Sequence, residues 1–295
     1  MKIPPPAASV SCRRYFPERQ AIRAMLDGDS AAMPALLYRG NTNQERTMDP
    51  GQIISCGGAD FYVVIREPGH TDPDLPVWTC TEPGGVQYDE RPAAVIERKD
   101  LSEVSGAFHL LNVLSDEECD RFVQISEALG YHSDAPVSLP RRIRHNNNFN
   151  WIVDESVDGP IWDRCRRFFG VSSVDGRHPL GLNARFRFYR YMRGDFFDPH
   201  TDGALPGSRV VNGQFVADAY GDRLSQMTVL IFLSDGYQGG RTMFHTGPTS
   251  IVPVHTPKGA LLCFPHGAHP QHCVHAGEIV TAGQKYIIRS DVLYG

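Results

Sequence analysis

No run of apolar residues in this chain is long enough to cross a bilayer, and no two cysteines stand in C-x-x-C spacing. The first absence excludes a membrane-spanning helix from the sequence reading and gives no reason to expect a membrane partner. The second bears on compartment. Seven cysteines are present (Cys12, Cys56, Cys80, Cys119, Cys165, Cys263 and Cys273), an odd and dispersed set. They read as free thiols of an intracellular, cytoplasmic protein rather than a disulfide framework. Residues 1–6, Met-Lys-Ile-Pro-Pro-Pro, lack the apolar stretch of a secretion signal. A basic surplus is missing too. Lys and Arg number 29 against 34 Asp and Glu, a net charge of −5, so no nucleic-acid partner is expected. There is no internal repeat or low-complexity tract. What the chain does have is 41% hydrophobic residues over 295 positions, enough to bury a large core. Its 28 glycines and 22 prolines suit many turns between short strands.

Residues 1–100 carry few signals and read as an N-terminal extension of unknown role, preceding a main domain over 101–295. A helix is expected over 18–26, a polar loop over 39–51, and strands over 61–65 and 93–97. The texture changes at Gly106. A strand is expected over 107–114, and Ser115-Asp-Glu-Glu118 then has capping-box spacing. The helix it opens carries Cys119, Phe122, Val123, Ile125 and Leu129 and stops at Gly130. A basic, amide-rich stretch over 139–151 follows. A second helix is expected over 158–169, with Asp158 as its N-cap and Pro160 in its first turn. Beyond Leu182 the chain reads as short strands. Residues 185–191 alternate with one slip, suggesting a bulge. A polar loop covers 203–222, and strands are expected over 224–233, 239–244, 249–254, 259–264 and 283–294. The class is mainly β with flanking helices (α+β), a sandwich or barrel.

The chemistry centres on His200-Thr-Asp202. On a strand, that spacing puts imidazole and carboxylate on one face. The pair makes two legs of a three-ligand site that suits non-haem Fe(II). Four histidines near the C-terminus, His266, His269, His272 and His275, stand three apart, and periodicity does not choose among them. Period two on the last strand puts Lys285, Ile287, Arg289 and Asp291 on one face. A buried cation there needs an anion, and a carboxylate cosubstrate would serve.

From residue 107 to 295 the chain resembles the 2-oxoglutarate- and Fe(II)-dependent dioxygenases, most closely the prolyl 4-hydroxylase-like branch. The resemblance rests on an ordered set: His200-x-Asp202, a distal histidine, and a basic residue ten positions after it. Only His275 meets that spacing, with Lys285; the same step from His266, His269 and His272 reaches Ala276, Ile279 and Ala282. Tyr191, nine residues before His200, Phe197, three before it, and Gly239-Gly-Arg-Thr242-Met-Phe244 also match. The resemblance implies a double-stranded β-helix (jelly-roll) with His200, Asp202 and His275 as catalytic metal ligands for Fe(II). It implies 2-oxoglutarate held through Lys285 and Tyr191, with Arg289 as rival or second anchor, and O2 as co-reactant; it also admits ascorbate. The implied reaction hydroxylates an unidentified peptide, protein or small-molecule substrate and releases succinate and CO2. The residues leave alternatives open. His269 or His272 could replace His275 as ligand. Cys263 and Cys273 read as core residues, His245 and His255 as loop or strand-edge residues. Arg241 and the stretch 141–148 face either substrate or solvent. A non-catalytic jelly-roll binding domain and a cupin-like metalloenzyme remain the other functional classes.

Overall fold

The computed structural model describes residues 53–90, 94–135, 140–172 and 175–295. Residues 47–295 form one compact unit. The expected helix over 18–26, the loop over 39–51 and Cys12 lie outside the described residues.

The strands before the first described helix are β1 (Ile54–Cys56), β2 (Ala59–Glu67), β3 (Leu75–Cys80), β4 (Glu97–Asp100) and β5 (Phe108–Leu111). Helix α1 (Asp116–Leu129) follows, then β6 (Arg144–His145), β7 (Asn147–Ile152) and helix α2 (Glu155–Cys165). Next come β8 (Pro179–Leu182), β9 (Arg185–Tyr191), β10 (Phe196–His200), β11 (Arg209–Val211), β12 (Gln214–Val216) and β13 (Leu224–Phe232). The chain closes with β14 (Gln238–Gly239), β15 (Thr242–His245), β16 (Ile251–Val254), β17 (Leu261–Pro265), β18 (Val274–Gly277), β19 (Val280–Ala282) and β20 (Lys285–Tyr294).

Two sheets build the core. The large one contains the run β9-β20-β13-β17, and the smaller one the run β16-β15-β18-β10. Followed along the chain, these eight strands step repeatedly between the sheets, and neighbours within each run are antiparallel. This is a jelly-roll. The large sheet extends past β9 through β7, β3, β2 and β1, with β3 and β7 parallel.

Side chains of the large sheet divide between two cores because successive residues point to opposite faces. Phe186, Phe188, Val229, Ile231 and Ile288 pack outward with Phe122 and Ile125 of α1. Tyr189, Tyr191, Leu230, Phe232 and Ile287 pack inward against Phe244 and Phe264. All ten residues of β20 are buried. The inner core is the space the smaller sheet closes over.

Several expectations need correction. The strand expected over 93–97 begins only at Glu97. The second helix starts three residues early: Asp154 caps it by accepting from the Ser156 N–H, so Pro160 lies in its interior. Asp158 is instead buried and ion-paired to Arg209. No bulge interrupts β9, whose register with β7 and β20 is continuous. Its aromatics change phase because both faces are covered, so neither needs to be polar. The loop over 203–222 holds the hairpin β11–β12, turned at Asn212-Gly213 with φ of 51° and 76°. That dipeptide is a type I′ signal. The expected strand over 239–244 is broken at Gly240. The strand β18 around His275 was not foreseen. The six described cysteines are free, as the sequence suggests.

The Ser115 capping box is present in full: Ser115 Oγ accepts from the Glu118 N–H, and Glu118 accepts from the Ser115 N–H. Glu118 also receives two hydrogen bonds from Arg164, at 2.7 and 2.8 Å, tying α1 to α2 in the interior. Removing it leaves a buried guanidinium without its carboxylate. Glu118→Ala is therefore expected to lower unfolding free energy by about 3–5 kcal/mol. Ser115→Ala, which removes the cap and the Ser115 hydrogen bond to Asp89, should lower it by less, about 1–2 kcal/mol. Urea denaturation of both variants measures the ratio.

Candidate metal centre

β10 ends at His200, and β18 runs antiparallel beside it with His275 directly opposite. Asp202 follows β10 in the loop, where its carbonyl accepts from the Gly267 N–H at 3.1 Å. The His200–Asp202 spacing thus works across a strand end, not along a strand. One ligand atom from each of His200, Asp202 and His275 lies within 4.8 Å of the others.

Tautomers follow from the hydrogen bonds. His200 Nδ1 lies 2.8 Å from the Asp198 carbonyl, and His275 Nδ1 lies 3.1 Å from the Cys273 carbonyl. A carbonyl only accepts, so both Nδ1 atoms carry the proton and both Nε2 lone pairs are free. Phe197 stacks on His200 with ring centroids 3.7 Å apart, and Phe264 packs edge-on to His275. These contacts fix the rings. Burial, then the neighbouring His275, pushes the His200 pKa down to about 3. Burial also lowers His275. For Asp202, burial favours the neutral form, but Arg289 and then the two imidazoles outweigh it and hold the carboxyl well below its usual range. At neutral pH the site therefore offers two neutral imidazoles and one carboxylate. That donor set fits a divalent first-row metal bound on three sides, Fe(II) among them.

Asp202 is held from behind. Its Oδ2 accepts from Thr228 Oγ1 at 2.7 Å and from Arg289 Nε at 3.3 Å. Thr228 gives its one proton to Asp202, so it accepts from His266 Nδ1, 2.7 Å away. His266 Nε2 must then accept from Ser225 Oγ at 2.9 Å. His266 is fully buried and serves as a support for the carboxylate. Sequence reasoning missed both Thr228 and His266. A threonine inside the apolar run of β13 was the available signal.

The remaining residues fall into place around this group. Lys285 faces Tyr191 across β20 and β9, and Arg289 faces Arg187. Lys285 is 3% exposed, and its Nζ donates to the Gly240 carbonyl at 2.6 Å. The Tyr191 and Phe232 rings lie 5.2 and 5.1 Å from it. Among the described residues no carboxylate reaches it; Glu278 pairs with Arg241 instead. Burial lowers the Lys285 pKa to about 7, with Glu278 only partly compensating. The glycine pair has a physical role here. Gly239 and Gly240 both have positive φ, and a Cβ on Gly239 would strike the Ile279 carbonyl. A Cβ on Gly240 would press on Lys285 and Val280. Arg289, by contrast, already holds two carboxylates, Asp202 and Asp291. Tyr191 is buried, and its pKa is raised by that burial.

His269 and His272 lie in the turn before β18, and neither joins the ligand group. His245 is on β15, His255 is exposed, Cys263 is in the core and Cys273 is half-buried. Arg241 is exposed and forked onto Glu278. In the stretch 141–148, Arg144, Asn146 and Asn148 are buried, not solvated.

No protein-family model and no curated protein matches the chain. Solved structures do. A viral collagen prolyl hydroxylase from Paramecium Bursaria Chlorella virus-1, in complex with 2-oxoglutarate, is 20% identical over 68% of this chain and 97% of its own, at a TM-score of 0.42. A Pseudomonas putida prolyl-4-hydroxylase is 13% identical over 63% of this chain and 91% of its own, at 0.42. A Trichoplax adhaerens prolyl hydroxylase, in complex with a hypoxia inducible factor peptide fragment, is 17% identical over 63% of this chain and 83% of its own, at 0.45.

His200, Asp202 and His275 form the group that could hold a metal, and His269 and His272 lie outside it. His200→Ala, Asp202→Ala and His275→Ala are each expected to weaken Mn(II) binding at least about 100-fold, since each removes one of three donors. His269→Ala and His272→Ala should bind as the unaltered protein does. Calorimetric titration under anaerobic conditions tests all five.

Proposed function

We propose that the protein is an Fe(II)- and 2-oxoglutarate-dependent oxygenase that hydroxylates a substrate C–H bond and releases succinate and CO2. The observation that carries this reading is Lys285, a buried amine without a carboxylate partner, whose neighbours Tyr191 and Phe232 belong to the inner core that also packs on His275. A buried cation costs free energy until an anion joins it. A five-carbon keto diacid supplies that anion at one end and metal-chelating oxygens at the other.

Each residue then has a task. His200, Asp202 and His275 hold the metal and leave its other positions open. Lys285 pairs with the distal carboxylate of 2-oxoglutarate, a charge-assisted contact, and Tyr191 donates a hydrogen bond to the same group. Arg289 keeps Asp202 ionised and aimed. Phe197, Phe244 and Phe264 wall the imidazoles from water. When bound, Fe(II) and 2-oxoglutarate supply the oxidising chemistry: O2 is consumed, the keto acid loses CO2, and one oxygen atom each goes to succinate and substrate.

Anaerobic addition of Fe(II) and 2-oxoglutarate should produce a visible metal-to-ligand charge-transfer band. Absence of both the band and aerobic succinate formation would sink the reading. Lys285→Met should weaken 2-oxoglutarate at least about 100-fold, as expected for loss of a buried ion pair, and leave Mn(II) affinity intact.

The same variant has a pH signature. Lys285 has a folded pKa of about 7, below the unfolded value of about 10.4. Between those values the unfolded chain binds more protons, so this residue makes stability rise with pH. Lys285→Met removes the slope. Its gain in melting temperature without ligands should be largest near pH 6 and fade toward pH 10.

A further inference from the structure

The buried arginines of this fold mostly hold carboxylates: Arg164 with Glu118, Arg185 with Glu67, Arg209 with Asp158, and Arg289 with Asp202 and Asp291. Arg144 and Arg187 do not. Arg144 is 8% exposed and lies over the Phe197 ring, 5.7 Å from guanidinium carbon to centroid, beside the aromatic that stacks on His200. Arg187 is half-buried on the inner face of β9, two residues from Tyr189 and opposite Arg289. Burial, and next the charge of Arg289, lowers its pKa. Among the described residues, neither guanidinium makes an ion pair or side-chain hydrogen bond.

The wall between them is equally unsatisfied. Asn146 precedes β7, and Asn148 and Asn150 follow at period two, sharing the inner face of β9's Tyr189 and Arg187 by register. All three are at least 95% buried. The Asn148 Nδ2 lacks a hydrogen-bond partner, and the Asn146 amide has no well-formed hydrogen bond, with the Tyr191 hydroxyl as its polar neighbour. Buried amides left bare are uncommon in folded proteins and ask for an explanation. Here the row runs by register from Asn150, opposite Arg187, through Asn148, opposite Tyr189, to Asn146, two residues from Arg144.

Charge points the same way. On the proposed function above, on which this inference rests, a divalent ion, Lys285 and Arg289 are balanced by Asp202, Asp291 and the dicarboxylate keto acid. Arg144 and Arg187 remain over. We infer that the substrate of this site is a small polar oxyanion, a carboxylic acid or phosphate ester, whose charged and polar groups are held through Arg187 and Arg144 and meet Asn146 and Asn148. A planar guanidinium recognises such oxygens two at a time, which makes it selective for orientation as well as charge. Lys285 and Arg187 lie four residues apart in register, roughly 13 Å along the strands. Arg187 therefore stands well apart from Lys285, while Arg144 lies nearer the Tyr191 end.

The test uses a defined panel: hydroxy- and amino-carboxylic acids of three to six carbons, their primary amides, phosphate monoesters of the same alcohols, and an uncharged prolyl peptide. Each is titrated calorimetrically into the metal-free protein. Each is also added to the protein with Fe(II), 2-oxoglutarate and O2, and succinate above the substrate-free rate is recorded. At least one acid or phosphate ester should bind and stimulate succinate release, with its neutral counterpart at least ten-fold weaker; the two arms of the panel tell carboxylate from phosphate. Arg144→Gln and Arg187→Gln should each weaken that anion about ten- to hundred-fold, with Arg144→Lys in between. Arg190→Gln, whose partner is Glu127 on the other face, should not. Equal binding of acid and amide, stimulation by the neutral peptide alone, no binding by any anion, or wild-type affinity in both glutamine variants would overturn the inference. So would Arg187→Gln weakening 2-oxoglutarate as much as Lys285→Met does. Loss of the charge-transfer band with arginine-dependent anion binding intact would instead refute the oxygenase reading and leave the anion site standing.

Discussion

Asp202 carries a full negative charge into the space between two sheets, and the contact with Arg289 is what makes that tolerable. An isolated buried carboxylate would take up a proton and lose its value as a metal ligand. Arg289 prevents this, and a second hydrogen bond, from Arg289 Nη2 to Asp291, fixes the guanidinium in place. Thr228, His266 and Ser225 extend the chain of contacts behind the carboxylate, and each hydroxyl and ring nitrogen in it has one possible role. The arrangement is rigid because no member can rotate or change protonation without stranding a neighbour in low dielectric. The two histidines are simpler cases. Each is oriented by the carbonyl two residues before it, so backbone geometry alone presents Nε2 to the site.

One strand supplies most of this chemistry. Along β20, period two sets Lys285, Ile287, Arg289 and Asp291 on the inner face, and Ile288 and Val292 on the outer one. The inner face grades from an amine without an anion, through an apolar spacer, to a guanidinium with two. The first is suited to receiving a ligand and the second to holding a ligating side chain. On the proposed function, this difference in partners, not the difference between Lys and Arg as such, favours Lys285 over Arg289 as the anchor for 2-oxoglutarate.

Much of this was legible in the sequence, and what was not has identifiable causes. Glycine, capping and alternation signals located α1 and the strands of the jelly-roll because they are local. The second helix start was misplaced because Asp154 and Asp158 are both chemically able to cap; only the tertiary contact of Asp158 with Arg209 decides between them. The spurious bulge in β9 came from treating polarity as a sign of exposure, when Arg185, Arg187 and Arg190 lie on a strand packed on both sides. The strand β18 was hidden by its neighbours Pro270 and Gly277 and by the count of histidines, which drew attention to the side chains. Likewise the stretch 141–148 resembles a solvated basic loop in composition, and only pairing of β6 with β10 and β7 with β9 reveals that it is buried. Support residues such as His266 act through contacts distant in sequence, which no spacing rule captures.

The division of the large sheet between two cores explains how the fold tolerates so many unsatisfied groups. The outer core gathers Trp78, Trp151, Phe61, Phe122, Phe186 and Phe188, each essentially without solvent exposure. Burial of a large aromatic contributes about 2–3 kcal/mol, whereas a bare buried amide costs about 1–3 kcal/mol. The same strands present both kinds of residue, one to each face. Stability can therefore be gathered on the α1 side while, among the described residues, Lys285, Arg144 and Arg187 stand without a carboxylate on the other and Asn148 Nδ2 without an acceptor. Filling the inner face with apolar residues would stabilise the chain and erase the positions at which an anion can bind. On the proposed function, those groups are the half of each contact that the protein contributes, with the other half arriving from solution.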